Sequence, residues 1–140
     1  MNSGSHAGSS RGGFTLIEMS LVIFILITLL SFGFGLSNAI TNWKLGRAGS
    51  ETLRTVYTAQ RTYLADHPTT SVASLTQAML LPYLPNGQAT FPTCTSLANS
   101  TLYVKVNQSP PVLTATAGGT TGTPYDPSGS TKDSLWDVGE

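Results

Sequence analysis

The sequence predicts an α+β protein: a long N-terminal helix that spans a membrane in its first half, and a small C-terminal head containing a short antiparallel sheet. Three observations carry this expectation. No charged residue occurs from Met19 to Trp43, a stretch made mostly of Leu, Ile, Val and Phe. Apolar residues then continue at spacings of three, four and seven until Pro68, as one helical face requires. Further on, Leu102-Tyr103-Val104-Lys105-Val106 alternates as a half-buried strand does, and Val112–Thr116 supplies a partner across the Asn107–Pro111 turn.

Composition narrows the function classes. The 140 residues suffice for one ordinary domain. Seven Lys and Arg balance seven Asp and Glu, so no global charge recommends nucleic acid as a partner. Charged residues are 10% of the chain, against about 25% usually. Cys94 is alone, which excludes an intrachain disulfide. His6 and His67 are the only imidazoles, and no cluster has zinc-ligand spacing, so neither metal nor cofactor is expected. Asp66-His67 reads as a solvated helix end, because adjacent residues rarely face one cleft. No nucleophile elbow or phosphate loop appears, and an enzyme is not expected.

Residues 1–13 are small, polar and glycine-rich, with too little apolar surface to fold. At Phe14 the character changes. Phe14 to Leu36 is 23 residues, and about 20 helical residues match a hydrocarbon core of about 30 Å. The segment is apolar all round, as a membrane helix is and an amphipathic surface helix is not. Glu18 is the anomaly, since a carboxylate in an apolar span costs on the order of 2.5–3.5 kcal/mol and needs a partner. Arg11 lies seven residues upstream, across two glycines. A cut between Gly13 and Phe14 would instead create an α-amine four residues before Glu18, one in every copy.

The run Gly13-Phe14-Thr15-Leu16-Ile17-Glu18 resembles the cleavage and methylation site of type IV pilins and of the pseudopilins of type II secretion systems. The resemblance implies that a prepilin peptidase/N-methyltransferase cuts after Gly13 and methylates the new terminus at Phe14. Glu18 would then dock each subunit through a neighbour's amine. It further implies a bacterial inner-membrane protein, single-pass, with the head outside the cytoplasm, which meets an assembly platform and polymerises with other pilins or pseudopilins into a periplasmic or extracellular filament. The chain departs from the family in one respect: many members carry a proline in the second half of the span, whereas Ser31, Gly33 and Gly35 stand there. Glycine weakens a helix interior by about 1 kcal/mol relative to alanine, and small residues also admit close helix–helix approach.

Two other readings compete. In one, Arg11, the Met19–Leu36 core and the small residues Ser37-Asn38-Ala39 form an ordinary secretory signal cut near Ala39, releasing a binding module. In the other, the chain is a plain single-span anchored protein. Charge does not orient the span, because Arg11 precedes it while Lys44, Arg47 and Arg54 follow.

The organisation that follows is a leader at 1–13, a helix at 14–66 (spanning at 14–36, amphipathic at 37–66) and a head at 67–140. One helix from Phe14 to Asp66 would be roughly 80 Å long, ended by Pro68. Its stripe of Ile40, Trp43, Leu53, Val56, Tyr57, Gln60, Tyr63 and Leu64 would hold the head, with a gap around Gly46–Gly49. Lys44, Arg47, Arg54 and Arg61 form a basic, solvated side. Thr70 to Leu80 reads as a second helix capped by Thr70 or Ser71 and closed by Pro82 and Pro85. Phe91-Pro92-Thr93-Cys94 with Tyr103 is loosely similar to prepilin heads whose paired cysteines bracket the sheet, but one cysteine makes no staple. The end from Ala117 to Glu140 is rich in Gly, Thr, Ser and Pro, and Asp126, Asp133, Asp137 and Glu140 outnumber Lys132 there. Some pseudopilins bind calcium in such a loop; the spacing here is not that of a calcium loop and reads as a flexible acidic tail. Leu135 and Trp136 are expected to dock back onto the head.

Overall fold

The computed structural model describes residues 12–130 and 134–138. The order of elements is α1 (Leu16–Asp66), α2 (Gln77–Leu80), β1 (Thr93–Thr95), β2 (Thr101–Lys105) and β3 (Val112–Thr114), with single 3-10 turns at Val72–Ser74, Leu81–Tyr83 and Pro85–Gly87. This is the α+β architecture that the sequence predicts. The chain forms two compact units, one ending at Asn38 and one beginning at Ala39.

Helix α1 is 51 residues long and begins where its cap dictates. The Thr15 hydroxyl accepts from the Glu18 amide at 3.2 Å, and the Thr15 carbonyl accepts from the Met19 amide at 3.1 Å. An N-cap of this type satisfies amides that have no intrahelical partner. The other end comes at Pro68, whose ring keeps His67 out of the helical region, although the His67 amide still reaches the Tyr63 carbonyl at 2.9 Å. In the first unit no residue of the apolar window is buried.

The second unit has its own core. Gly46, Gly49, Leu53, Val56, Ala59 and Gln60 of α1 are buried, and their spacing of three and four marks one stripe. Against it lie Leu102, Val104 and Val106 from β2 and its end, and Leu113 from β3, all without exposure. Each such side chain contributes about 1.5–3 kcal/mol on burial. The sheet is antiparallel in the order β1-β2-β3, with Cys94 opposite Leu102 and Val104 opposite Leu113. Beyond β3, the Tyr125 amide donates to the Leu113 carbonyl at 2.7 Å.

Gln60 ties helix to sheet. Its Nε2 donates to the carbonyls of Val106 and Gln108, both at 2.9 Å, while its Oε1 is buried without a partner. Gln60→Leu would strand two carbonyls, at about 1–3 kcal/mol for a buried unpaired group, but would also remove the orphan oxygen. The expected net loss is about 1–3 kcal/mol in urea unfolding of a chain that starts at Ala39. Unchanged or greater stability would mean that these bonds do not hold the β2–β3 connection.

Three expectations need correction. The second helix predicted from Thr70 to Leu80 is broken: Leu75 and Thr76 are extended, with ψ of 140° and 158°, between a 3-10 turn and the four-residue α2. Ser and Thr hydroxyls compete for backbone groups here, as Ser74 does by donating to the Ser71 carbonyl at 2.7 Å, and the break lets Leu75 and Leu80 both reach the core. A third strand, β1, arises from Thr93-Cys94-Thr95, too short to show alternation. On the predicted stripe, Leu53, Val56 and Gln60 are buried but Ile40 and Trp43 are exposed, because Gly46 and Gly49 form its lower end instead.

Candidate functional site

The site is built on the first turn of α1 and the residues before it. Gly12 to Thr15 are exposed and non-helical, so the Gly13–Phe14 bond lies in open chain directly ahead of the helix. Phe14 is 74% exposed, and a β-carbon at Gly13 would meet nothing. Main chain of this kind is what a peptidase can take up. Arg11 lies outside the described residues.

Glu18 occupies the third position of α1, where its carboxylate suits the positive end of the helix dipole. Thr15-Leu16-Ile17-Glu18 is a capping-box sequence, a local role that the sequence reading missed although the T-x-x-E pattern signals it. Only half of the box is made, because the amide of Glu18 bonds to Thr15 while the carboxylate meets no donor or cation among the described residues. The other polar side chains of the apolar run behave differently. Ser20 donates to the carbonyls of Leu16 and Ile17, Thr28 to those of Phe24 and Ile25, and Ser31 to that of Ile27, at 2.8–3.0 Å. A polar group in hydrocarbon must be satisfied within its own segment, and these three are. Glu18 is the one side chain of the run that carries a charge, and that charge has no partner among the described residues.

The rest of the surface of the run is apolar and open. Phe24, Phe32 and Phe34 are 66%, 81% and 72% exposed. Helix α1 continues through Gly33 and Gly35, and a β-carbon at either would meet nothing in the chain. Gly46 and Gly49 differ, for a β-carbon there would come within 3.3 Å and 3.4 Å of the Trp136 indole. The second glycine pair thus has an intrachain reason and the first has none. The helix from Leu16 is long and apolar enough to cross a membrane and lies near the N-terminus.

The remaining candidates resolve into packing and turns. Asp66 accepts from the Tyr83 hydroxyl at 2.9 Å, and that bond raises the phenol above its ordinary pKa. His67 stacks on Tyr63, with ring centroids 4.3 Å apart, so the two neighbours serve different partners. Burial pushes the half-buried Cys94 thiol up to about 11, which keeps it protonated and unreactive near neutrality. Asp126 accepts from the Ser128 amide and Asp137 from the Ser134 amide, as turn residues do, while Asp133, Lys132 and Glu140 lie outside the described residues, as does His6. Among the described residues no three His, Cys, Asp or Glu are grouped to hold a metal. Of the basic side, Arg47 pairs with Glu51 at 3.2 Å, Arg54 donates to the Val138 carbonyl at 2.9 Å, and Arg61 lies over the Tyr57 ring. Trp136 docks as expected, 7% exposed, whereas Leu135 stays 42% exposed. No protein-family model, curated protein or solved structure matches this chain.

Proposed function

We propose that this chain is a structural subunit of a type IV pilus-like filament or a type II secretion pseudopilus. It enters the inner membrane through Phe14–Leu36, is cut after Gly13 and N-methylated at Phe14, and polymerises through its N-terminal helix. The observation that carries this reading is the Glu18 carboxylate, which has no partner among the described residues and follows the exposed Gly13–Phe14 bond by four residues. Cleavage there frees an ammonium beside an apolar helix, and a neighbour's ammonium supplies the charge Glu18 lacks. The partners are a prepilin peptidase/N-methyltransferase, an inner-membrane assembly platform, the bilayer, and further copies or related subunits. In the filament the exposed Leu, Ile and Phe side chains exchange lipid for sister helices, and Gly33 and Gly35 allow those helices close approach. The role is one of assembly, with no catalytic step.

One observation favours the alternative, a secretory signal cut near Ala39: the second compact unit begins at that residue. The bond is helical in this structure, and that reading leaves Glu18 without a role. Terminal-peptide and intact-mass spectrometry, after expression beside an active prepilin peptidase, separates the two. The expected product starts at methylated Phe14. A start at Ile40 would establish the exported module, and an uncut Met1 would leave an anchored protein. Gly13→Ala is expected to be processed and Gly13→Leu to stay uncut, since a bulky side chain beside the scissile bond blocks the peptidase; normal maturation of the leucine variant would defeat the cleavage site.

A further inference from the structure

The apolar run ends at Leu36, and α1 continues into the second unit with Ile40, Trp43, Lys44 and Arg47. Ile40 and Trp43 are large, apolar and about half exposed, at 46% and 51%. The Arg47 guanidinium lies 5.7 Å from the Trp43 ring centroid, while its Nε also meets Glu51 at 3.2 Å. A half-exposed indole beside an exposed lysine and a bare aliphatic group suits an apolar layer edged by anions, whereas Arg47 already has its anion in Glu51.

We propose that Ile40, Trp43 and Lys44 form an interfacial collar that seats on the phospholipid headgroups of the bilayer before assembly. The proposal rests on the reading of Phe14–Leu36 as a span. Each headgroup layer is about 5–8 Å thick, which a helix crosses in about four or five residues. Ile40 and Trp43 follow Leu36 by four and seven residues, and helical side chains lean toward the N-terminus, so both side chains reach back toward that layer. Trp is favoured there because its body is apolar and its N–H is polar, and the long stem of Lys44 lets its ammonium reach back to lipid phosphates. A second copy covering Trp43 is the rival occupant, but two such surfaces would bring Lys44 of both copies together, with Glu51 already paired to Arg47.

The test uses the full chain reconstituted in phosphatidylcholine and phosphatidylglycerol vesicles, with bromine placed near either the glycerol end or the methyl end of the acyl chains. Shallow bromine should quench tryptophan fluorescence several-fold more than deep bromine, and Trp43→Phe should abolish most of the quenching, because Trp136 is buried. Equal quenching of wild type and Trp43→Phe would overturn the collar, as would quenching by aqueous acrylamide alone or by deep bromine alone. Quenching that disappears as the protein-to-lipid ratio rises would identify a second copy as the occupant and overturn it too. Flotation resistant to an alkaline wash reads the span separately. A chain that floats with Trp43 in water loses the collar only; a chain that does not float loses both readings.

Discussion

Glu18→Gln is expected to be cut after Gly13 as efficiently as the wild type and then to fail in assembly, with incorporation into filaments reduced more than about 100-fold. Glutamine keeps the capacity to complete the Thr15 capping box and fits the same helical volume, so the local role survives. What it lacks is the charge. An unpaired ion left in an apolar interface costs about 3–5 kcal/mol, which is about two to nearly four orders of magnitude in a binding constant. In this variant the unpaired ion is the neighbour's Phe14 ammonium. A cap-only role for Glu18 predicts the opposite pattern: Glu18→Gln assembles normally, and Glu18→Ala loses only the ~1 kcal/mol that caps supply. Fractionation of sheared filaments from cells producing each variant, with the N-terminus checked by mass spectrometry, separates these outcomes. Full incorporation of Glu18→Gln would remove the docking role outright.

Trp136→Ala is the substitution expected to harm the head most. The indole fills the seat made by Gly46 and Gly49, meets the Tyr125 ring edge-on with centroids 5.2 Å apart, and is 7% exposed. Removing a buried tryptophan side chain costs about 3–5 kcal/mol, a large share of the 5–15 kcal/mol that a small domain has. For a unit of this size the melting temperature should fall by roughly 15–30 °C. Gly49→Leu attacks the same contact from the helix side, since a β-carbon there already stands 3.1 Å from Leu113 and 3.4 Å from the indole. Overpacking costs about 1–3 kcal/mol, less any helix propensity gained by replacing glycine. Circular-dichroism melts of chains starting at Ala39 measure both. A fall of under about 4 °C for Trp136→Ala would show that the C-terminal segment is not part of the folded head. Gly33→Ala, by contrast, meets nothing in the chain and should leave the head unaffected.

The long apolar helix, the end of α1 and the β2–β3 pair were legible from residues alone because each rests on local rules. Twenty-odd apolar residues have only a few environments that tolerate them, a proline stops a helix wherever it stands, and alternation over five residues puts Leu102, Val104 and Val106 on one face. The T-x-x-E cap at Thr15–Glu18 is just as local, although the charge of Glu18 drew attention away from it. Gly46 and Gly49 interrupted the helical pattern in the sequence and became the seat of Trp136 in the fold, some ninety residues away along the chain. No window of sequence contains both halves of that contact. Gln60 likewise read as one more position on the stripe, and only the approach of the Val106 and Gln108 carbonyls makes it the tie between helix and sheet. The break at Leu75–Thr76 and the short strand β1 belong to the same class. Local propensity differences of a few tenths of a kcal/mol per residue are smaller than the ~1.5–3 kcal/mol gained when Leu75 or Leu80 is buried, so where local preference is weak the core decides.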